Sequence, residues 1–228
     1  KLNSPVNVDV YNQSFFKANP TPSVFEALEN INGIRAQLNC NICNTGDIHI
    51  NGQEGSYTMV LIDGLPIVSG LSTVYGLSGI PKSLIERIEI IKGPASTLYG
   101  SEAIGGVINL ITKLGESTPK FSVDSFVSGW GELNTDIGYK YTLSKKSKGL
   151  LGINYFNYSN PIDKNNDGFT DLTFQDRISI FNKFSFGNNF SFATRYLYED
   201  RWGGELDWTP KYRGGDVFYG ESIYTSRF

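Results

Sequence analysis

Hydrophobic and polar residues alternate one by one along several stretches of the second half of this chain. Thr135, Ile137, Tyr139, Tyr141 and Leu143 form one set, with Asp136, Gly138, Lys140 and Thr142 between them. Ile178, Ile180, Asn182, Phe184 and Phe186 interleave with Arg177, Ser179, Phe181, Lys183 and Ser185. Phe190, Phe192, Thr194, Tyr196 and Tyr198 do the same with Ser191, Ala193, Arg195, Leu197 and Glu199. Lys120–Gly129 alternates as well, Leu150–Ser159 does so more loosely, and Ile223–Phe228 begins a sixth segment. A period of two places each pair of sets on opposite faces of a strand. The connections alternate in length: Ser144–Gly149 and Gly187–Asn189 are short, Asn160–Thr173 and Arg201–Glu221 long.

The first half has a different texture. Ser23–Asn32, with apolar Val24, Phe25, Leu28 and Ile31 and a following Gly33, predicts a short capped helix. Asp47–Ile50 and Thr58–Ile62 predict strands, with Asp63-Gly64 as a turn. Pro81–Arg87 predicts a helical turn leading into a strand over Ile88–Lys92. Short strands mixed with short helices make a small α+β domain.

Composition sharpens the division. Of 31 aromatic residues, 7 fall in 1–113 and 24 in 114–228. Alternating strands are found in soluble sandwiches as well as in membrane barrels. Three features favour a barrel: strands of about ten residues, aromatics toward strand ends, and short and long connections in alternation. A net charge of −3 argues against a nucleic-acid partner, which requires a basic stripe. No apolar run reaches the ~18 residues of a membrane helix, and no charged-then-apolar leader is present. Five strands and the start of a sixth would leave open edges that lipid does not tolerate, so the chain reads as a fragment.

The run Ile85-Glu86-Arg87-Ile88-Glu89-Ile90-Ile91-Lys92-Gly93-Pro94-Ala95-Ser96-Thr97-Leu98-Tyr99-Gly100, followed by Ala103 through Lys113, closely resembles the plug domain of TonB-dependent outer-membrane receptors. Val60–Ile67 is similar to that family's preceding strand and turn, and Ser4-Pro5-Val6-Asn7-Val8 to the stretch after its energy-coupling box. The resemblance implies an α+β plug domain over 1–115, then the first antiparallel strands of a transmembrane β-barrel over 116–228. The whole would be a larger receptor of about 22 strands. Glu86, Arg87, Glu89 and Lys92 would then pair with polar groups on the inner barrel wall. One departure stands out: where the family commonly carries an arginine-glycine pair, this chain has His49-Ile50-Asn51-Gly52. His49, between two isoleucines, reads as a polar-face residue and not a metal ligand.

Three segments carry candidate chemistry. Cys40-Asn41-Ile42-Cys43 suits either a local disulfide or half a zinc site. With no second pair to complete four ligands, and the oxidising envelope implied by the resemblance, the Cys40–Cys43 disulfide is the favoured alternative. By resemblance Gln37–Asp47 and Val68–Leu77 are the two apical loops of the plug. They offer Asn41, Asn44, Ser72, Thr73 and Tyr75 as ligand-binding residues. Asp163, Asn165, Asp167, Phe169 (through its carbonyl) and Asp171, with Gly168 at the sixth position, follow the front of a calcium loop. Phe174 occupies the twelfth position, where a bidentate Glu belongs, so the helix–loop–helix form is excluded. An Asn/Asp-rich turn is the competing reading.

Neither apical loop contains an acid–base or nucleophile constellation, so the protein is not expected to be an enzyme, and no cofactor is required. The resemblance implies energy-coupled uptake of a metal chelate across a bacterial outer membrane. The partners would be TonB with its inner-membrane motor proteins, the chelate and lipid. An iron-siderophore, haem or cobalamin all fit, and the stiff apical loop and calcium motif tilt the expectation toward cobalamin. A peptide or glycan importer of the same architecture, or a soluble calcium-binding adhesion module, are the alternatives.

Overall fold

The computed structural model describes residues 7–43, 45–66, 77–78, 80–113, 118–187 and 190–228. The first half forms a five-stranded sheet and a separate hairpin. In sheet order, β1 (Val8–Asn12) pairs with β6 (Ile85–Lys92), then come β7 (Gly106–Thr112), β4 (Thr58–Ile62) and β5 (Leu65–Pro66). The β4–β7 pair is parallel and the others antiparallel. β2 (Ile34–Cys40) and β3 (Thr45–Ile50) make the hairpin. The helix expected at Ser23–Asn32 is α2 (Val24–Ala27), continued as a 3-10 turn over Leu28–Asn30. Ser23 caps it, its hydroxyl accepting from the Glu26 N–H. A short α1 (Gln13–Ala18), capped by Asn12, was not evident from the pattern because six residues give too little periodicity.

These elements share one apolar core. Alternate residues Ile48 and Ile50, Ile88 and Ile90, and Ile108 and Leu110 meet Val24, Phe25, Leu28 and Ile31 from the helical segment. Each such side chain contributes roughly 1.5–3 kcal/mol when fully buried. Strand β6 starts at Ile85, three residues before the expected Ile88, because the helical turn closes over Lys82–Leu84 alone.

The second half is one antiparallel sheet in simple sequence order. It comprises β8 (Phe121–Val127), β9 (Leu133–Ser144), β10 (Ser147–Tyr158), β11 (Phe174–Phe186), β12 (Phe190–Gly204) and β13 (Gly220–Arg227). One face of the sheet packs against the N-terminal domain as a wall. Its inward positions include Asn134, Asp136, Asn154, Arg177, Ser179 and Lys183, all buried. Ile137, Tyr139, Ile178, Ile180, Tyr196 and Tyr198, one residue out of step, take the outward face. Polar inside and apolar outside is the reverse of a soluble sheet and the pattern of a lipid-facing barrel.

Two glycines shape the wall where the domain meets it. Gly138 and Gly152 are directly opposed on β9 and β10. A Cβ on Gly152 would lie 2.3 Å from Leu84 Cδ1, and one on Gly138 would meet Ser83 Oγ at 3.4 Å. The missing side chains form a notch. Leu84 fills it, fully buried against Leu150 and Phe181.

Candidate functional site

The contacts between domain and wall fall at two levels. At the lower one, Lys183 on β11 reaches Asp63 Oδ2 at 2.7 Å and Thr112 Oγ1 at 3.0 Å. Asp63 sits in the turn after β4 with φ 50°. Its Oδ1 accepts the Thr112 N–H at 2.9 Å, so one carboxylate joins two strands of the N-terminal domain and the wall.

At the upper level two arginines reach inward. Arg177 Nη2 donates to the Pro22 carbonyl at 2.8 Å and to Asn154 Oδ1 at 3.5 Å, with its guanidinium 5.1 Å from the Phe156 ring centre. Arg201 Nη2 donates to Asn41 Oδ1 at 3.2 Å, and its Nη1 pairs with Glu199 at 3.3 Å. Glu199 also accepts from the Gln175 amide. Asn154 continues the polar layer to Asn134 at 2.8 Å and Asp136 at 3.3 Å.

Between Arg201 and α2 lies a cavity of about 120 Å³, lined among others by Glu26, Asn41, Glu132 and Tyr158. Glu26 lines it with its Oε2 buried. Burial pushes its carboxyl up to about 7; Glu132 adds to the rise, while Arg177, Arg201 and Lys82 oppose it. Burial likewise pushes the Lys82 ammonium down, against the pull of Asp136, Asp124 and Glu26. Lys82 donates to the Thr21 carbonyl.

The hairpin tip meets this level directly. A disulfide joins Cys40 to Cys43 in the structure, and the Cys43 N–H donates to Cys40 Sγ at 3.1 Å. Asn41, inside the ring so closed, is the residue that Arg201 holds. The described residues of the segment thus form a two-stranded ribbon with a disulfide near its tip. Asn44, Ser72, Thr73 and Tyr75 lie outside the described residues, as do residues 1–6, most of the second apical loop and the 114–117 junction.

The 163–171 segment is a tight, exposed turn. Asp163 accepts from the Asp167 and Gly168 N–H groups, Asp167 from Phe169, and Asp171 from Lys164. Gly168 has φ 83°, the conformation a sharp turn needs at that position. No group of three or more acidic, His or Cys side chains able to hold a metal ion occurs among the described residues. Thr170 N–H to Gly204 O and Leu206 N–H to Gly168 O stitch this loop to the one after β12.

One expectation is corrected. Arg87 pairs with Glu86 and Glu89, both at 2.8 Å, and Lys92 with Asp9 at 3.0 Å. These charges are satisfied within the N-terminal domain, because β6 lies inside its own sheet between β1 and β7. Polar groups that do hydrogen-bond to the wall include Asp63, Thr112, Pro22 and Asn41. The signal for their partners was present: Arg177 and Lys183 stand among the small and polar residues of an otherwise aromatic strand.

Among the described residues the site is a charged joint between the N-terminal domain and the wall. Residues 1–107 match the family model described as TonB-dependent Receptor Plug Domain. Solved structures share the fold over most of this chain. The ferric enterobactin receptor of Pseudomonas aeruginosa in complex with enterobactin is 19% identical, with 92% of this chain and 36% of that one covered and a TM-score of 0.66. The ferric yersiniabactin uptake receptor of Yersinia pestis is 16% identical over 90% and 33%, with a TM-score of 0.66. The ferric-catecholate import receptor of E. coli is 17% identical over 88% and 28%, with a TM-score of 0.61. The chain therefore spans about a third of the length of the receptors it matches. The N-terminal domain is thus a TonB-dependent receptor plug domain by its family match, and the sheet that follows shares the fold of the first part of the receptor barrels.

Proposed function

We propose that the full-length protein is a bacterial outer-membrane receptor that takes up a ferric siderophore, with energy delivered through TonB from its inner-membrane motor. The observation that carries this reading is the plug seated by charged and polar contacts against the inner face of a wall whose outer face is aromatic and aliphatic. Parting such a joint exposes one small apolar contact, Leu84 with Leu150 and Phe181, and otherwise polar groups. A siderophore is favoured over cobalamin or haem because the matched receptors named above carry ferric chelates. The cross-linked tip with Asn41 and the 160–173 loop lie at one end of the wall. In this reading that end faces outward and meets ligand, the disulfide lowering the ordering cost of binding. Calcium in the 163–171 turn belongs to the same reading, removing repulsion among three carboxylates.

The test is uptake of radioactive iron by cells carrying the full-length receptor, with and without TonB, alongside binding of ferric catecholates, haem and cobalamin to the purified receptor. TonB-dependent iron uptake with catecholate binding supports the proposal. Tight binding of cobalamin or haem alone, or uptake indifferent to TonB, overturns it.

A further inference from the structure

Glu26 is the one carboxylate of α2, and Arg177 bonds the Pro22 carbonyl just before that helix. Its Oε2 has no hydrogen-bond partner among the described residues. The cations near it are engaged elsewhere. Arg177 spends Nη2 on Pro22 and Asn154, Arg201 spends Nη1 on Glu199 and Nη2 on Asn41, and Lys82 points to the Thr21 carbonyl. The Nε atoms of both arginines and the Tyr158 hydroxyl are also buried without a partner. From the turn before β9, Glu132 faces the same cavity and adds a like charge. Glu199 from β12 is already paired to Arg201, and Asp136 from β9 bonds Asn134 and Asn154.

A charged Glu26 would thus hold its buried Oε2 without a hydrogen-bond or ion-pair partner among the described residues, a costly arrangement for a carboxylate. A neutral carboxyl has an O–H to donate into the polar cavity. We propose that Glu26 is a proton-binding site at the plug–wall joint: its carboxyl takes one proton from solvent as the plug seats and returns it as the plug leaves. The proton count balances, one taken up per plug seated. This rests on the reading of the domain as a plug that parts from the wall, and it adds that parting is coupled to pH.

The direction follows from linkage. The seated carboxyl titrates at about 7 against an ordinary value of 4.5, so the seated state binds more protons between those values. Seating is strongest below the ordinary value and weakens as pH rises through about 7. For one proton the loss is up to tenfold in the seating constant per pH unit inside that window, levelling off above it.

The experiment uses the full-length receptor in detergent, fluorescently labelled through Ser101→Cys, an exposed plug position. Urea-driven release of the plug is followed at several pH values from 5 to 8. The wild type should lose seating strength steadily up to about pH 7, and Glu26→Gln, a neutral mimic, should hold the acid value throughout. Infrared spectra of the wild type should show a protonated carboxyl titrating near neutrality that the variant lacks. A wild-type profile flat across the range overturns the proposal whether or not the variant folds, as does an infrared signal unchanged by the substitution. Siderophore uptake plays no part in either readout, so a wrong substrate assignment leaves this test intact.

Discussion

Lys183 is the lower anchor of the plug, one ammonium shared by Asp63 and Thr112. Hydrogen bonds to charged groups contribute about 1.5–3 kcal/mol. Lys183→Met should weaken plug seating by that order and expose the Asp63 turn to protease. Asp63→Asn in the same background should add less than it does alone, since the partner is already lost. Full additivity in the double-mutant cycle would show that the two residues do not work together. At this scale the sequence was legible where chemistry is local. Cys40 and Cys43 are close enough in the chain to read as a pair, and Ser23 reads as a cap. Glu26 was not legible. In the chain it is the polar position of an amphipathic turn, which normally points to water; only the wall, more than a hundred residues later, covers it.

The β elements were legible through their alternation, which extends further than a ten-residue crossing requires: β11 covers 13 residues and β12 covers 15. Which face turned inward could not be read from one strand, because alternation is symmetric until a partner surface is known. The Gly138–Gly152 notch was equally silent, since cross-strand opposition depends on register. Gly152→Val should force Leu84 out of its seat and cost about 1–3 kcal/mol of plug seating, read as a lower urea midpoint for the plug while the barrel strands keep theirs. An unchanged midpoint would show that Leu84 has room to move. Calcium is tested on the 160–173 loop in the full-length receptor. Chelator should raise its protease sensitivity, and Asp163→Asn with Asp167→Asn should make the loop sensitive even with calcium present. If neither treatment matters, the segment is a hydrogen-bonded turn and nothing more.

Across the whole molecule, the aromatics concentrate in the half of the chain that forms the six-stranded sheet. The distribution of charge inside the wall was hidden for the reason that hid Glu26. Among the described residues the sheet ends at β8 on one side and β13 on the other, each with one unpaired edge. Outward Tyr139, Phe192 and Tyr224 are more than a third exposed. Expressed alone, these 228 residues should associate in water through those edges and that face, and need detergent to disperse. A monodisperse monomer with one cooperative melt in buffer would contradict the lipid-facing assignment.

The two levels of attachment have a mechanical consequence. Arg177 and Lys183 are six positions apart on β11, about 20 Å at the rise of a strand, and Arg201 stands level with Gln175, near the upper end. A force applied near one level loads that attachment first and leaves the other as a pivot. Bonds that break in succession yield at a lower peak load than the same bonds broken together. A pull on the plug would therefore tilt it before freeing it, opening a wedge along one side of the wall while the far attachment still holds the domain in place for its return.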